Sequence, residues 1–401
     1  MKEFQNIVKK IGSVVVKDKN ILFLQGPMGP FFAKFSNFLQ KEHNSNTYQV
    51  IYNGGDEYYA KEGTIFLGNN ETIIFSTIEF LSRKGIDTIF LLGDEREIHH
   101  AIIKWIQKNK PSLNIFVFEE GYFRPNYITI EKGGVNYNSE LDLSYKAINE
   151  LSLEKLKSEY IEPISVGKPY KYMALQATIY YFFTMLKNNK YKKYSHHRDN
   201  SIFKEGYYGI VNFIKLKYHK LYEKEHTIYI TTIISKEYIF FPLQVESDFQ
   251  IKKHSPFNSI EETIEEFFRL YKNYNLTDNI VIKHHPMDRG KNDYNKAIKR
   301  LMKKYNIEEK KILYIYDVDL PTCLKHAKKC ITVNSTVGIS ALIHEVPVYL
   351  MGNANYNIKD ITNTEKEFFT SVKPPNMNLF KKFKFNLINK TQINGSFYKE
   401  I

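Results

Sequence analysis

The chain is 401 residues long, 43% hydrophobic and 25% charged, a size and balance that favour two packed domains over one. Lysine and arginine exceed aspartate and glutamate by 57 − 44 = +13, so the partners to look for are anionic: nucleotides, acidic lipid headgroups or nucleic acid. No apolar run is long enough to span a bilayer, the opening stretch lacks the apolar core of a signal peptide, and Cys323 and Cys330 alone exclude a disulfide framework and fit a reduced cytoplasm.

In chain order, Ile21 to Leu24 predicts a first buried strand. The turn Gln25-Gly26-Pro27-Met28-Gly29-Pro30 leads into a helix over Phe31 to Leu39. Its glycine spacing is not a dinucleotide fingerprint, yet it can face a ligand at a strand exit. Tyr48 to Tyr52 predicts the next strand, and residues 53–70 a loop-rich stretch around Gly54 and Gly55. A strand over Thr88 to Leu92, a helix over Ile98 to Lys108 and a strand over Asn114 to Phe118 continue an alternation that predicts a parallel α/β sheet. The last of these runs into Glu119-Glu120-Gly121-Tyr122-Phe123-Arg124-Pro125. Two adjacent carboxylates repel, which raises one pKa and suits a general base or acid; a solvated acidic turn is the alternative.

Residues 146–225 change character. Helical patterns over Ala147 to Tyr160, Tyr172 to Lys187 and Ile210 to Tyr222 are rich in tyrosine and lysine. Such a segment can lie on an anionic membrane or form a solvated connection between domains. Strands over Tyr238 to Gln244, Ile280 to Ile282, Ile312 to Tyr316, Ile331 to Val333 and Val346 to Leu350 then alternate with helices. The expected organisation is an N-terminal Rossmann-like domain (1–145), a helical basic and aromatic segment (146–225), a second Rossmann-like domain (226–375) and a basic tail (376–401).

Two strand exits in the C-terminal half carry chemistry. Ile280 to Ile282 is followed by Lys283-His284-His285-Pro286-Met287-Asp288-Arg289-Gly290. Pro286 ends the ladder, and a lysine, an arginine and two imidazoles crowd the carboxyl end of a buried strand, where open α/β sheets bind ligands. That set suits a phosphate; a strand-ending turn with solvated charges is the alternative. Ile331 to Val333 passes through Asn334, Ser335 and Thr336 into a helical pattern over Val337 to His344. Hydroxyls and free N–H groups at a helix start, with Gly338 permitting close approach, also suit an anion. Together the two exits predict a nucleotide-phosphate pocket.

The ordered set FLQGPMGPFF, FEEGYFRP, FPLQVESDFQI with HSPF, IKHHPMDRG with Tyr294, and VNSTVGISAL resembles the capsule polysaccharide biosynthesis proteins of the KpsS/LipB type over most of residues 20–370. The resemblance implies an α/β fold with two Rossmann-like domains in a GT-B-like glycosyltransferase arrangement. It implies a β-Kdo transferase that moves Kdo from CMP-β-Kdo to a lysophosphatidylglycerol acceptor and so starts the poly-Kdo linker of a capsular polysaccharide. His285, Ser335 and Thr336 would then hold the phosphate of the leaving CMP, with Gln244, Lys283, Pro286, Arg289, Asn334 and Gly338 around the donor. A likeness to KpsC-type transferases around Gln244-Val-Glu-Ser-Asp248 implies Asp248 as the nucleophile of a retaining double displacement. Glu120 would deprotonate the acceptor hydroxyl, with Glu119 as its substitute; Gln25, Gly26 and Arg124 fall on the acceptor side. If Asp248 only binds donor hydroxyls, Glu120 as sole base gives inversion. No metal or other cofactor is expected. The charge excess fits an anionic acceptor and peripheral attachment to the inner face of the cytoplasmic membrane, beside other capsule synthesis and export proteins. No nucleic-acid reader motif occurs, so no nucleic acid is expected. A non-catalytic assembly or export partner that binds CMP-sugar or lipid is the alternative of a different class.

Overall fold

Apolar runs of β-branched and aromatic residues, each followed by an amphipathic helix, build two sheets. A computed structural model describes residues 2–60, 62–196, 202–246 and 249–399. Its strands, in chain order, are β1 (Asn20–Phe23), β2 (Asn46–Ile51), β3 (Thr64–Ile65), β4 (Thr88–Leu92), β5 (Asn114–Glu120), β6 (Tyr127–Lys132), β7 (Tyr238–Pro242), β8 (Asn279–Lys283), β9 (Ile312–Ile315), β10 (Lys329–Thr332), β11 (Val348–Leu350) and β12 (Gln392–Asn394). The chain forms two units, one of residues 1–141, 154–202 and 385–401, the other of 142–153 and 203–384.

The first unit holds a seven-stranded sheet in the order β12-β6-β5-β4-β1-β2-β3. Strands β3, β2, β1, β4 and β5 run parallel; β6 pairs antiparallel with β5, and β12 antiparallel with β6. One face is aromatic: Phe23, Phe32, Phe35, Phe90 and Phe118 are all buried, with Phe23 and Phe90 stacked at 5.2 Å. The other is aliphatic, built on Leu22, Leu24, Ile89, Leu91 and Val117. Burial on both faces is why these strands read as continuous apolar runs. The strand order reverses between β1 and β4, so Gln25 and Gly93 mark the crevice where such sheets take ligands.

The second unit holds five parallel strands in the order β11-β10-β7-β8-β9, reversing between β7 and β10. Ile239, Phe241, Ile280, Ile282 and Ile331 anchor one core face against the helix Ile260–Asn273, whose Phe267 and Phe268 are fully buried.

Three expectations change. Gly54 and Gly55 open a helix, Gly54–Ala60, rather than a loop. A side chain at Gly54 would strike the carbonyl of Phe183, and one at Gly55 the Tyr180 ring, so the glycines admit the close approach of the helix Tyr170–Leu186. The 376–401 segment is not a simple tail: it forms the helix Met377–Thr391 and then β12, which pairs with β6. The helical middle divides, with Tyr170–Leu186 packed in the first unit and one long helix, Ile202–Ile228, in the second.

Candidate active site

In the first unit, β1 delivers Gln25 to the reversal point with its side chain buried. Its amide donates to Asp56 Oδ2 (3.1 Å) and to the Tyr180 hydroxyl (3.1 Å), and its carbonyl accepts from Arg96 Nη1 (2.9 Å). The Tyr180 hydroxyl lies 2.9 Å from Asp56 Oδ1 and accepts from Asn53 Nδ2 at 2.6 Å. Burial pushes the Asp56 carboxyl up to about 6 despite these partners. Asp56 and Tyr180 were invisible as site residues in sequence, since they lie in a presumed loop and a presumed connector.

Glu119 and Glu120 end β5, where the two-residue period of a strand sends them to opposite faces. Glu119 and Arg96 both lie beside Gly93. Glu119 Oε1 accepts from the Glu120 N–H at 2.9 Å. Burial pushes the Glu119 carboxyl up to about 7, with a smaller contribution from the neighbouring Glu120. Burial raises Glu120 as well, while Arg124 opposes it. The expectation put Glu120 first; the position beside the reversal point favours Glu119. Arg124 is exposed and donates to the Gly121 carbonyl at 3.2 Å. Gly26 is needed for packing, because a side chain there would lie 2.6 Å from the Phe32 ring.

In the second unit, Gln244 after β7 and Asn334 after β10 meet across the reversal point. Gln244 Nε2 donates to Asn334 Oδ1 (3.0 Å), and the Asn334 N–H donates to Gln244 Oε1 (3.3 Å). Glu246 Oε2 accepts from the Tyr294 hydroxyl (3.0 Å) and the Ile260 N–H (3.2 Å). The chain leading toward Asp248 is thus held at two points; Asp248 itself lies outside the described residues.

The cluster after β8 is mostly turned inward. Lys283 is buried and donates to the Tyr316 carbonyl at 2.6 Å, and burial lowers its pKa. His284 Nδ1 lies 2.6 Å from the Tyr314 hydroxyl, and burial drives this imidazole down to about 3, so it is neutral and supplies no charge. Arg289 is buried, ion-paired with Asp317 and donating to Asn212 Oδ1 at 2.6 Å from Nη1. Asp288 accepts from Tyr294 (2.9 Å) and Asn292 (3.0 Å). These charges serve the fold, which corrects the picture of free cations around a ligand. Pro286 is exposed and its carbonyl accepts from Asn212 Nδ2 at 3.2 Å. His285 is half-buried, and its Nδ1 accepts the Met287 N–H at 3.2 Å, which leaves Nε2 to carry the proton of the neutral ring and donate.

The helix after β10 is shorter than its pattern, Val337–Ile343, and Thr336 at its N-cap makes no side-chain capping bond. Ser335 Oγ accepts from the Val337 N–H at 3.2 Å. A side chain at Gly338 would strike the Tyr356 ring and hydroxyl, so this glycine admits the packing of Tyr356. Asp317-Val318-Asp319 has an Asp-x-Asp spacing, but Asp317 pairs with Arg289 and Asp319 caps the helix Leu320–His326, accepting from the Thr322 N–H at 2.8 Å. Among the described residues, no group of three or more His, Cys, Asp or Glu could hold a metal ion, and no helix is long and apolar enough to cross a membrane.

Fold and side chains together define an α/β protein of two Rossmann-like units, each with polar groups gathered where its strand order reverses. The model of the family "Capsule polysaccharide biosynthesis protein" matches residues 87–398. The chain is 34% identical to the "Capsule polysaccharide export protein KpsS" of Escherichia coli, over 96% of this chain and 98% of that one. It is equally identical (34%) to the "Capsule polysaccharide modification protein LipB" of Neisseria meningitidis serogroup B, over 99% of this chain and 96% of the other. It therefore belongs to the capsule polysaccharide biosynthesis protein family. Among solved structures it is similar to the Thermosulfurimonas dismutans KpsC β-Kdo 2,7 transferase, at 14% identity and a TM-score of 0.42 over 93% of this chain and 89% of that one.

Proposed function

We propose that this protein is a glycosyltransferase that moves β-Kdo from CMP-β-Kdo to a lysophosphatidylglycerol acceptor, the first step of a capsule's poly-Kdo linker. The observation that carries the catalytic part is Glu119, a carboxyl raised to about 7 beside the strand reversal of the first unit, as a general base working near neutral pH requires. The Kdo donor and lipid acceptor rest on the motif resemblance and on membership of the capsule family.

In the proposed sequence the Asp248 carboxylate attacks the anomeric carbon of Kdo, and the bond from that carbon to the phosphate oxygen breaks, releasing CMP. His285 Nε2–H and the Ser335 and Thr336 hydroxyls meet the phosphate charge that develops. Glu119 then takes the proton of the acceptor hydroxyl, whose oxygen displaces Asp248, so two inversions give retention. No metal enters this scheme.

Attachment to an anionic membrane is part of the same proposal. The helix Ile202–Ile228 exposes Ile210 (63%), Ile214 (61%), Leu221 (70%) and Ile228 (50%) along one face, with the exposed Lys217 and Lys224 among them. Apolar side chains can enter the headgroup layer there, and each nearby lysine contributes about 1 kcal/mol toward acidic lipid.

The test is mass spectrometry of products from purified protein, CMP-Kdo made in situ and a short-chain lysophosphatidylglycerol. One added Kdo from the wild type and none from Asp248→Asn supports the scheme; NMR of the anomeric centre decides retention. An Asp248→Asn protein with full capsule function in cells would establish the non-catalytic partner instead.

A further inference from the structure

A cationic recess in the first unit has no part in the scheme above. It measures about 210 Å³ and lies beyond the carboxyl ends of β2 and β3, the kind of place where open α/β sheets take ligands. Tyr52, Phe66 and Leu67 line it from the strand exits, and Lys190, Lys192 and Lys193 from the segment after the helix Tyr170–Leu186. Lys187 and Lys190 reach Glu57 Oε1 at 3.1 and 3.0 Å, and the Tyr191 hydroxyl donates to Glu57 Oε2 at 2.7 Å, so this segment is pinned to the helix Gly54–Ala60. Lys192 and Lys193 are exposed and, among the described residues, have no carboxylate partner. No acidic or amide side chain lines the recess. Tyr52 and Tyr194 also line a narrow cleft that reaches Gln25 and Arg96, and Arg96 and Glu119 both lie beside Gly93. The recess therefore leads toward the proposed general base.

The walls specify the ligand's chemistry. Two lysines without a carboxylate favour a phosphate, and a lining with no amide or carboxylate side chain is poorly equipped to read a nucleotide base or to chelate a metal cation. Apolar surface adjoins the charge, since Phe66 is half-buried and Leu67 is 55% exposed. The helix that leads into the lysine segment has no charged residue from Tyr172 to Leu186. It exposes Leu175, Phe182 and Leu186, whose spacing puts them on one face, a stripe that suits the apolar side of a lipid headgroup layer. We infer that this recess holds the phosphodiester of an anionic lysophospholipid, with Lys192 and Lys193 against the phosphate oxygens and Phe66 and Leu67 against the first carbons of the chain. Held in this way, the lipid has its chain on one side of the phosphate and its glycerol end on the other, free to enter the cleft toward Arg96 and Glu119. A choline headgroup brings a cation among the lysines and binds less well, so the recess selects headgroup charge.

This inference deepens the acceptor reading above and rests on it. The test is isothermal titration of the full-length protein, with CMP present, using short-chain lysophosphatidylglycerol below its micelle-forming concentration. The wild type is expected to bind it about ten-fold more tightly than lysophosphatidylcholine of the same chain, and about ten-fold more tightly than glycerophosphoglycerol, the headgroup without a chain. The pair Lys192→Ala and Lys193→Ala, at exposed positions, is expected to keep the circular dichroism spectrum, weaken lysophosphatidylglycerol about ten-fold and remove its preference over the choline lipid. Leu67→Asn is expected to weaken both lysolipids and leave glycerophosphoglycerol unchanged. If the wild type binds lysophosphatidylglycerol and the lysine pair changes neither affinity nor preference, the recess assignment is wrong while the acceptor reading stands. If glycerophosphoglycerol binds as tightly as the lysolipid, the site takes a phosphate headgroup alone and the chain contact is overturned. Equal binding of the two lysolipids by the wild type overturns the charge selection. If the wild type binds no lysophosphatidylglycerol, the recess assignment and the acceptor reading both fall.

Discussion

Replacing Glu119 by glutamine makes opposite predictions for stability and for activity. The Glu119 carboxyl rises from 4.5 to about 7 in the fold because burial penalises its charged form. Below pH 4.5 it is protonated in folded and unfolded chain alike and contributes nothing. Between 4.5 and about 7 the unfolded chain releases the proton while the folded chain holds it, so stability falls as pH rises; above about 7 the penalty is complete. At about 1.4 kcal/mol per tenfold change in proton affinity the full penalty is about 3.5 kcal/mol, and water reaching a half-buried group reduces it to roughly 1–3. Glutamine carries no such penalty and keeps an oxygen for the Glu120 N–H. The single tryptophan, Trp105, packs against the aliphatic core of the first unit, so its fluorescence follows unfolding of the unit that contains Glu119. Urea unfolding of wild type and Glu119→Gln should coincide at pH 4.5 and separate by pH 8, with the variant more stable by roughly 1–3 kcal/mol. Turnover should fall by about 10²–10⁴, the usual loss on removing a general base. A difference in stability that does not vary with pH, or a variant that is less stable at pH 8, would mean that Glu119 is an ordinary solvated carboxylate.

Other substitutions probe the scaffold. Gly55→Ala places a methyl group 2.6 Å from the Tyr180 ring and should cost about 1–3 kcal/mol by the same fluorescence assay. Arg289→Met leaves Asp317 buried and uncompensated and should cost about 3–5 kcal/mol, read by thermal denaturation followed by circular dichroism. His285→Asn removes the donor at Nε2 and should lower kcat by about 10² with the circular dichroism spectrum unchanged. Paired glutamates at Ile214 and Leu221 should abolish sedimentation with phosphatidylglycerol vesicles, and salt should weaken what the wild type binds; wild-type binding that high salt leaves intact would remove the electrostatic part of the membrane argument.

Much of both sheets was legible because their strands are buried on two faces and therefore spell continuous apolar runs: Ile21 to Leu24, Thr88 to Leu92, Tyr238 to Gln244 and Ile280 to Ile282 all overlap observed strands, the third running two residues past its end at Pro242. Strand β6 escaped because its polar residues are buried rather than exposed: Thr129 is fully covered, and Glu131 accepts from the Tyr122 hydroxyl at 3.0 Å. The helix Gly54–Ala60 escaped because two glycines usually break helices, and only the approach of a helix more than a hundred residues later explains them here. The candidate site was legible to the same depth. Sequence located the charges after β8 correctly, since Pro286 must end the ladder. It could not say what they pair with. Arg289 finds Asn212 77 residues earlier and Asp317 28 residues later, and Lys283 finds a carbonyl 33 residues later. A cation near a strand end is available to a ligand only if no such partner reaches it first, and here the partners that reach it hold the long helix Ile202–Ile228 and the β9 exit around β8. His285, whose Nδ1 accepts the Met287 N–H within its own turn, is the half-buried member of that cluster.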